Sequence, residues 1–297
     1  PQEPNAEAAC TRLLHVIRRE PRLLGVARMR WRLADLRQVC DWLRVETDAG
    51  MYGVLKRLGI HYKRGRSYTH SPDPAYLTKL AVINAAQQLV RTHPEQYVLL
   101  YLDEMTYYRQ PTLDRAYAAA GSEQRLAPWA YFTANTKTRV IGALDDRTGR
   151  VLFRQRSHID IACLVGFWAD IRAAYPHAKR IFVVLDNWTV HFHPDVVAPL
   201  APQPTVFPVY RPGNWPLVPT RLAPAAPPLP IRLLPLPTYA SWLNPIEKLW
   251  RKLRQDELHL HQLADDLPQL RQRVITFLSQ FSHGSEELRR YVGLLPY

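Results

Sequence analysis

Three carboxylates stand where their spacing would permit chemistry. Tyr101-Leu102-Asp103-Glu104 ends one apolar run, Tyr97–Leu102, and Val184-Leu185-Asp186-Asn187 ends another, Ile181–Leu185. Each run reads as a strand buried on both faces, and ligands of an open α/β sheet gather at the carboxyl ends of strands. Two such aspartates on neighbouring strands would face one crevice. Adjacent carboxylates repel, and Mg²⁺, with its preference for hard oxygen donors, is the usual counter-charge. The plainer alternative is that each aspartate starts a turn after its strand. The third carboxylate, Glu247, lies in Ser241-Trp242-Leu243-Asn244-Pro245-Ile246-Glu247-Lys248-Leu249-Trp250. Here Asn244 reads as a helix N-cap, Pro245 as the first helical residue and Glu247 as a capping-box partner, with Arg251 in reach one turn on. A capping role leaves metal binding open, because side chains of a first turn point outward. Trp242, Ile246, Leu249 and Leu253 form an apolar stripe, whereas Lys248, Arg251, Lys252 and Arg254 give the helix a basic face suited to phosphates.

Histidines offer a rival set. His191-Phe192-His193 and His259-Leu260-His261 could together supply four zinc ligands. No cysteine accompanies either pair, and His259 and His261 fall near a helix end, where residues i and i+2 diverge by about 200°, so surface or phosphate-facing histidines are the plainer alternative. The signatures of P-loop, dinucleotide-binding, nucleophile-elbow and zincin enzymes are all missing from the sequence.

The elements that must position these groups can be read from periodicity. Residues 8–70 read as short helices. Leu13, Leu14, Val16 and Ile17 lie in the first, which Pro21 closes, and Leu33, Leu36, Val39, Cys40 and Leu43 mark the second. After a turn at Arg44–Glu46, Thr47 is a suitable N-cap for a third helix running to Leu58, with Gly59 following it. Helix, tight turn and capped helix make a helix-turn-helix pattern, although three helices of an ordinary bundle would read the same way. Gly50 and Gly53 weaken the third helix. If it reads DNA, Lys56, Arg57, Lys63, Arg64 and Arg66 would contact phosphates and Tyr52 would lie nearer the bases. Tyr76–Val90 reads as a connecting helix, so residues 71–95 are taken as a linker. Residues 96–297 are taken as a second domain, α/β in class. Its hairpin is expected at Val140–Leu144 and Arg150–Phe153, and helices at Ile161–Tyr175, about 245–257 and about 267–281, before a tail.

Between Pro199 and Pro237, 13 of 39 residues are proline. Proline lacks the N–H that helices and central strands need, so about 199–230 is expected to be an extended surface insertion, with Phe207 and Trp215 as anchors. The whole chain has 297 residues, 47% hydrophobic and 22% charged, which is a globular composition. Its net charge is +13 and arginine supplies 32 of the 39 basic residues, a balance suited to a polyanion. No apolar run is long enough for a membrane helix, and Pro1–Ala9 does not read as a signal peptide. Cys10, Cys40 and Cys163 are widely spaced, which points to a reducing cytosol. A chain opening on Pro1 suggests processing or truncation.

Taken in order, Leu102-Asp103-Glu104, Leu185-Asp186-Asn187-Trp188-Thr189-Val190-His191 and Tyr239–Trp250 resemble the catalytic blocks of DDE transposases in the bacterial insertion-sequence branch of the mariner superfamily. Leu55-Lys56-Arg57-Leu58-Gly59 and Ser71-Pro72-Asp73-Pro74 resemble the same family's second helix-turn-helix region. The resemblance implies a ribonuclease-H-like mixed sheet with packed helices, preceded by a helix-turn-helix DNA-binding domain. It implies two Mg²⁺ (or Mn²⁺) ions held by Asp103, Asp186 and Glu247, acting in strand cleavage and strand transfer. Its expected partners are double-stranded DNA, both terminal inverted repeats and target, with TA preferred, and a second copy of the chain on that DNA. A cytoplasmic, nucleoid-associated protein follows. The Pro-rich segment lengthens the Asp186–Glu247 interval, and the family's first helix-turn-helix unit is expected to be lost or to precede Pro1. Two other classes remain: a catalytically inactive transposase acting as a DNA-binding protein, and a zinc-dependent hydrolase using the histidine pairs.

Overall fold

The computed structural model describes residues 6–62, 70–118, 124–131, 133–200, 205, 207–220 and 227–295. The chain divides into two units, Pro1–Tyr68 and Thr69–Tyr297. In the first, α1 (Ala6–Ile17), α2 (Leu33–Val39) and α3 (Asp48–Arg57) surround a small core of Leu13, Leu36, Cys40 and Met51. The second helix is shorter than its apolar stripe because the chain breaks at Cys40 and resumes as a 3₁₀ turn, Asp41–Leu43. Thr47 caps α3 as expected, its hydroxyl oxygen accepting from the Gly50 N–H at 3.0 Å. Beyond the helix, Gly59 takes φ +68°, the left-handed region that glycine enters without a Cβ clash.

The second unit is built on a five-stranded mixed sheet in the order β3-β2-β1-β4-β5. Its strands are β1 (Tyr97–Tyr108), β2 (Lys137–Asp145), β3 (Val151–Arg156), β4 (Arg180–Leu185) and β5 (Ile231–Pro235). β1 pairs antiparallel with β2 and parallel with β4, and β5 is parallel to β4. Side chains alternate across a strand, so the central strands feed two cores. One face carries Leu99, Tyr101, Met105 and Val184 and is covered by α4 (Tyr76–Thr92), α7 (Ile246–Leu253), α8 (Leu267–Ser279) and α9 (Glu286–Val292). The other carries Leu100, Leu102, Val183 and Leu185 and is covered by α5 (Ile161–Ala174) and the short α6 (Pro194–Val197). This layered, mixed α/β sheet is the expected fold class.

Four local expectations are corrected. β1 does not stop at Leu102 but continues to Tyr108, held by pairing with β2 as far as Tyr108↔Lys137. Asp103 and Glu104 thus sit inside the strand. α4 is no free connector, since Ile83, Ala86 and Val90 are buried in the core. The expected C-terminal tail contains α9, capped by the Ser285 hydroxyl oxygen accepting from Leu288 N–H and ended by Gly293 at φ +87°. Trp242 lies before α7, in the 3₁₀ turn Ser241–Leu243, and is half-exposed, and on α7 Trp250 takes its place beside Ile246, Leu249 and Leu253.

Residues 199–230 supply no named strand among the described residues, only isolated bridges such as Thr205↔Leu233, and β5 begins just after them. Both expected anchors hold this Pro-rich segment. Trp215 packs against the His193 ring at 4.8 Å, and Phe207 lies under the Lys79 ammonium at 5.8 Å. Thr220 adds a third attachment, donating its N–H and its hydroxyl to the buried Asp195 carboxylate.

Candidate active site

Parallel pairing of β1 with β4 ends at Tyr101↔Val184, and the same register carried two residues further sets Asp103 opposite Asp186. Asp103 lies where β1 has lost its parallel neighbour, while β2 still supports it from the other side through Asp103↔Gly142. By alternation Asp103 shares its face with Tyr101 and Met105, the face on which α7 packs. Glu104 projects to the opposite face.

The third carboxylate arrives on α7. Asn244 was expected to cap that helix, but Pro245 occupies the N-cap position and no side chain caps it. The Asn244 amide instead donates to the Leu102 carbonyl at 3.0 Å, tying the start of α7 to β1 just before Asp103. Glu247 therefore makes no capping box, and among the described residues no ion pair joins it to Arg251. One turn on, the Trp250 indole N–H donates to Asp103 Oδ2 at 3.0 Å. Gly142 makes this possible: a Cβ there would lie 2.6 Å from the indole ring. The α7 helix is thus fastened to β1 at Leu102 and at Asp103 itself.

Electrostatics join the three acids. Burial first, then the charges of Glu247, Glu104 and Asp186, push the Asp103 carboxyl up to about 8. Asp186 shifts the other way: burial opposes the shift, but His191 and the Trp188 N–H outweigh it and lower its carboxyl below the ordinary range. The fully buried His191 holds its Nε2 3.5 Å from Glu104 Oε1 and 3.6 Å from Asp186 Oδ1. Burial disfavours the imidazolium, yet these two carboxylates push its pKa up to about 9.

A hard divalent cation suits this donor set of Asp103, Asp186 and Glu247, which is made of carboxylate oxygens crowded by like charge. Among the described residues, however, no three His, Cys, Asp or Glu side chains are grouped to hold a metal ion. Asp103 and Asp186 are turned toward the protein's own donors, Trp250 and Trp188. The zinc alternative gains nothing from the geometry. His193 Nδ1 accepts from the Asp195 N–H, His261 Nδ1 accepts from the Leu263 N–H, and His259 Nδ1 lies 3.1 Å from the Thr112 hydroxyl.

The basic candidates divide. Tyr52, Lys56 and Arg57 are exposed on α3, while Lys63, Arg64 and Arg66 lie outside the described residues. On α7, Arg251 is exposed, Lys248 donates to the Val292 carbonyl, and Lys252 pairs with Asp256 at 2.7 Å. Sequence reasoning missed Asn244 in its present role, Trp250, Gly142 and Glu104. His191 stands in the string Leu185–His191, but reads there only as a zinc ligand or as a surface or phosphate-facing histidine. No helix among the described residues is long and apolar enough to cross a membrane.

Comparison with known proteins agrees with this architecture. An insertion element IS630 uncharacterized 39 kDa protein of Shigella sonnei is 23% identical over 279 residues, covering 93% of this chain and 72% of its own length. The structure is similar to a Mos1 transposase paired-end complex with left transposon end, at 15% identity and a TM-score of 0.58, covering 100% of this chain and 77% of the other. A Mos1 strand transfer complex matches with the same identity and coverage and a TM-score of 0.57. The profile of the DDE superfamily endonucleases matches residues 98–271, a span that holds Asp103, Asp186 and Glu247. With more than half of its length matched, the chain belongs to the DDE superfamily of endonucleases.

Proposed function

We propose that the chain is a transposase that binds transposon-end DNA and catalyses metal-dependent strand cleavage and strand transfer, with Asp103, Asp186 and Glu247 as its catalytic carboxylates. The observation that carries this reading is the register that sets Asp103 opposite Asp186 where β4 ends beside β1, with α7, which bears Glu247, tied to Asp103 through the Trp250 N–H. The names of similar proteins support it, since the Mos1 structures include complexes with a transposon end, with Mn and with Mg.

Asp103, Asp186 and Glu247 would hold the divalent ions. When bound, a pair of Mg²⁺ or Mn²⁺ ions supplies Lewis acidity to the attacking and leaving oxygens of a phosphodiester. The protein's own work is positioning. The Trp250 N–H and the Asn244 amide fix α7 against β1 and so set Glu247 relative to Asp103. Asp103 releases its carboxyl proton before it can serve as a ligand. With water as nucleophile the same site cuts a strand, and with the freed 3′-hydroxyl it joins one, so no covalent protein–DNA intermediate is required. Residues on α3, with Lys56, Arg57 and Tyr52 exposed, form the helix-turn-helix reading surface, and Arg251 contributes phosphate contact near Glu247. A second copy of the chain is the expected partner on paired ends.

The test uses Asp103→Asn and Glu247→Gln in the full chain. Both should lose Mn²⁺-dependent cleavage of DNA carrying the element's ends by at least about 10³-fold while binding that DNA as the parent does. Cleavage surviving in both variants would refute the assignment.

A further inference from the structure

Consecutive residues of β1 face opposite ways, so Glu104 cannot join Asp103 on the α7 side of the sheet. It meets His191 instead, on the side that buries Leu102, Leu185 and Phe192. His191 follows β4 in a 3₁₀ turn, Thr189–Phe192, and is wholly buried. Its ring sits edge-on between Trp188, at 5.2 Å, and Phe192, at 6.4 Å. Among the described residues neither ring nitrogen meets a partner at hydrogen-bond geometry, and neither does Glu104 Oε1. A buried polar group without a hydrogen bond is destabilising, so packing alone does not explain an imidazole here.

Its position does. Nε2 lies 3.6 Å from Asp186 Oδ1 and 3.5 Å from Glu104 Oε1. The Trp188 N–H donates to that same Oδ1 at 2.9 Å. Among the described residues both polar contacts of Asp186 therefore fall on Oδ1, and Oδ2 is the oxygen left for another ligand. Glu104 Oε1, close to the same Nε2, restrains the ring's rotation.

Resting on the DDE reading of this site, we infer that His191 is a positioning residue. Braced by Glu104 from the far face of the sheet, it ties down Asp186 Oδ1 and so presents Oδ2 as the cation-binding oxygen. It touches neither DNA nor the reacting atoms.

The two side-chain amides separate this role from a structural one. Glutamine places an N–H near the position of Nε2, whereas asparagine places one near Nδ1. His191→Gln and His191→Asn are prepared in the full chain, and Mn²⁺ binding is measured without DNA from the paramagnetic resonance signal of free Mn²⁺. Melting temperature serves as the folding control. The expected result is binding within about threefold of the parent for His191→Gln and at least about tenfold weaker for His191→Asn, the scale on which partners of metal ligands act. Equal Mn²⁺ binding by the two folded variants, at whatever strength, overturns the inference. If His191→Asn does not fold, His191→Phe keeps the ring packing, lacks the nitrogen and carries the same expectation. Asp103→Asn is measured alongside. If it binds Mn²⁺ like the parent, the DDE reading itself fails. If it loses binding while the His191 variants match each other, only the positioning role falls.

Discussion

Asp103 and its neighbours show how single atoms prepare this site. Its carboxyl is pushed up to about 8, first by burial and then by Glu247 and the other acids, so at neutral pH it keeps a proton that a cation must displace. Mn²⁺ binding is therefore expected to tighten as pH rises, by about tenfold per unit below 8, and to level off above it. An isotherm series from pH 6 to 9 checks this, and pH-independent binding would contradict it. A second prediction concerns the seat of Trp250. An alanine Cβ at Gly142 would press on the indole at 2.6 Å, inside any tolerable contact. Gly142→Ala should cost about 1–3 kcal/mol of stability by overpacking and should lower cleavage further by displacing the N–H from Asp103. Trp250→Phe, being smaller, should recover part of the stability in the double variant but not the cleavage. Additive stability losses would show that the two residues do not meet in solution.

At the scale of elements, the loop that delivers Glu247 is held from behind. Asp73 accepts from the Thr238 N–H at 2.9 Å and from Lys79 Nζ at 2.8 Å, and the Ser71 hydroxyl donates to the Thr238 carbonyl. Burial works against the Asp73 charge, but Lys79 and the backbone N–H groups of Thr238 and Ala75 prevail and hold its carboxyl at about 2. A carboxyl lowered by folding stabilises the fold above its unfolded value, near 4, and that contribution is lost as pH falls toward 2. Asp73→Asn should therefore lower the melting temperature at pH 7 and narrow its gap to the parent as pH falls below 4. A gap that stays constant down to pH 2 would rule out the ion pair as its source. Much of this architecture is legible in short stretches: Thr47 announces α3, and the apolar runs announce β1 and β4. The three acids stand out because each sits in a compact local string. What the sequence hides is non-local. A strand that continues through Asp103-Glu104 looks ended, because only pairing with β2 keeps it extended. Trp250, rather than Trp242, faces the sheet because a distant Gly142 leaves room for it. Glu104 and His191 meet only once β1 and β4 lie side by side.

For the whole molecule, charge and the Pro-rich segment set the terms. The excess of +13 makes salt-sensitive binding to DNA the general expectation. Lys56→Ala with Arg57→Ala should make the dependence of log Kobs on log salt shallower by about 2 units, and an unchanged slope would place the phosphates elsewhere. The Pro-rich segment, by contrast, carries little charge and works through its attachments. Loop closure alone would let it be shortened at small cost. Its contacts argue otherwise: Thr220 supplies two donors to Asp195, only 1% exposed, and Trp215 closes over His193. Removing donors from a buried carboxylate is costly, of the order of 1–3 kcal/mol, which for a unit of this size shifts the midpoint by about 2–4 °C per kcal/mol. Replacing residues 203–228 by a short Gly/Ser linker should therefore yield a folded protein that melts several degrees lower. Asp195→Asn in the full chain should reproduce part of that drop and add little to the shortened chain, since both changes break one contact. An unchanged melting temperature after shortening would make the segment a passive insertion. A chain that no longer folds would place it in the core.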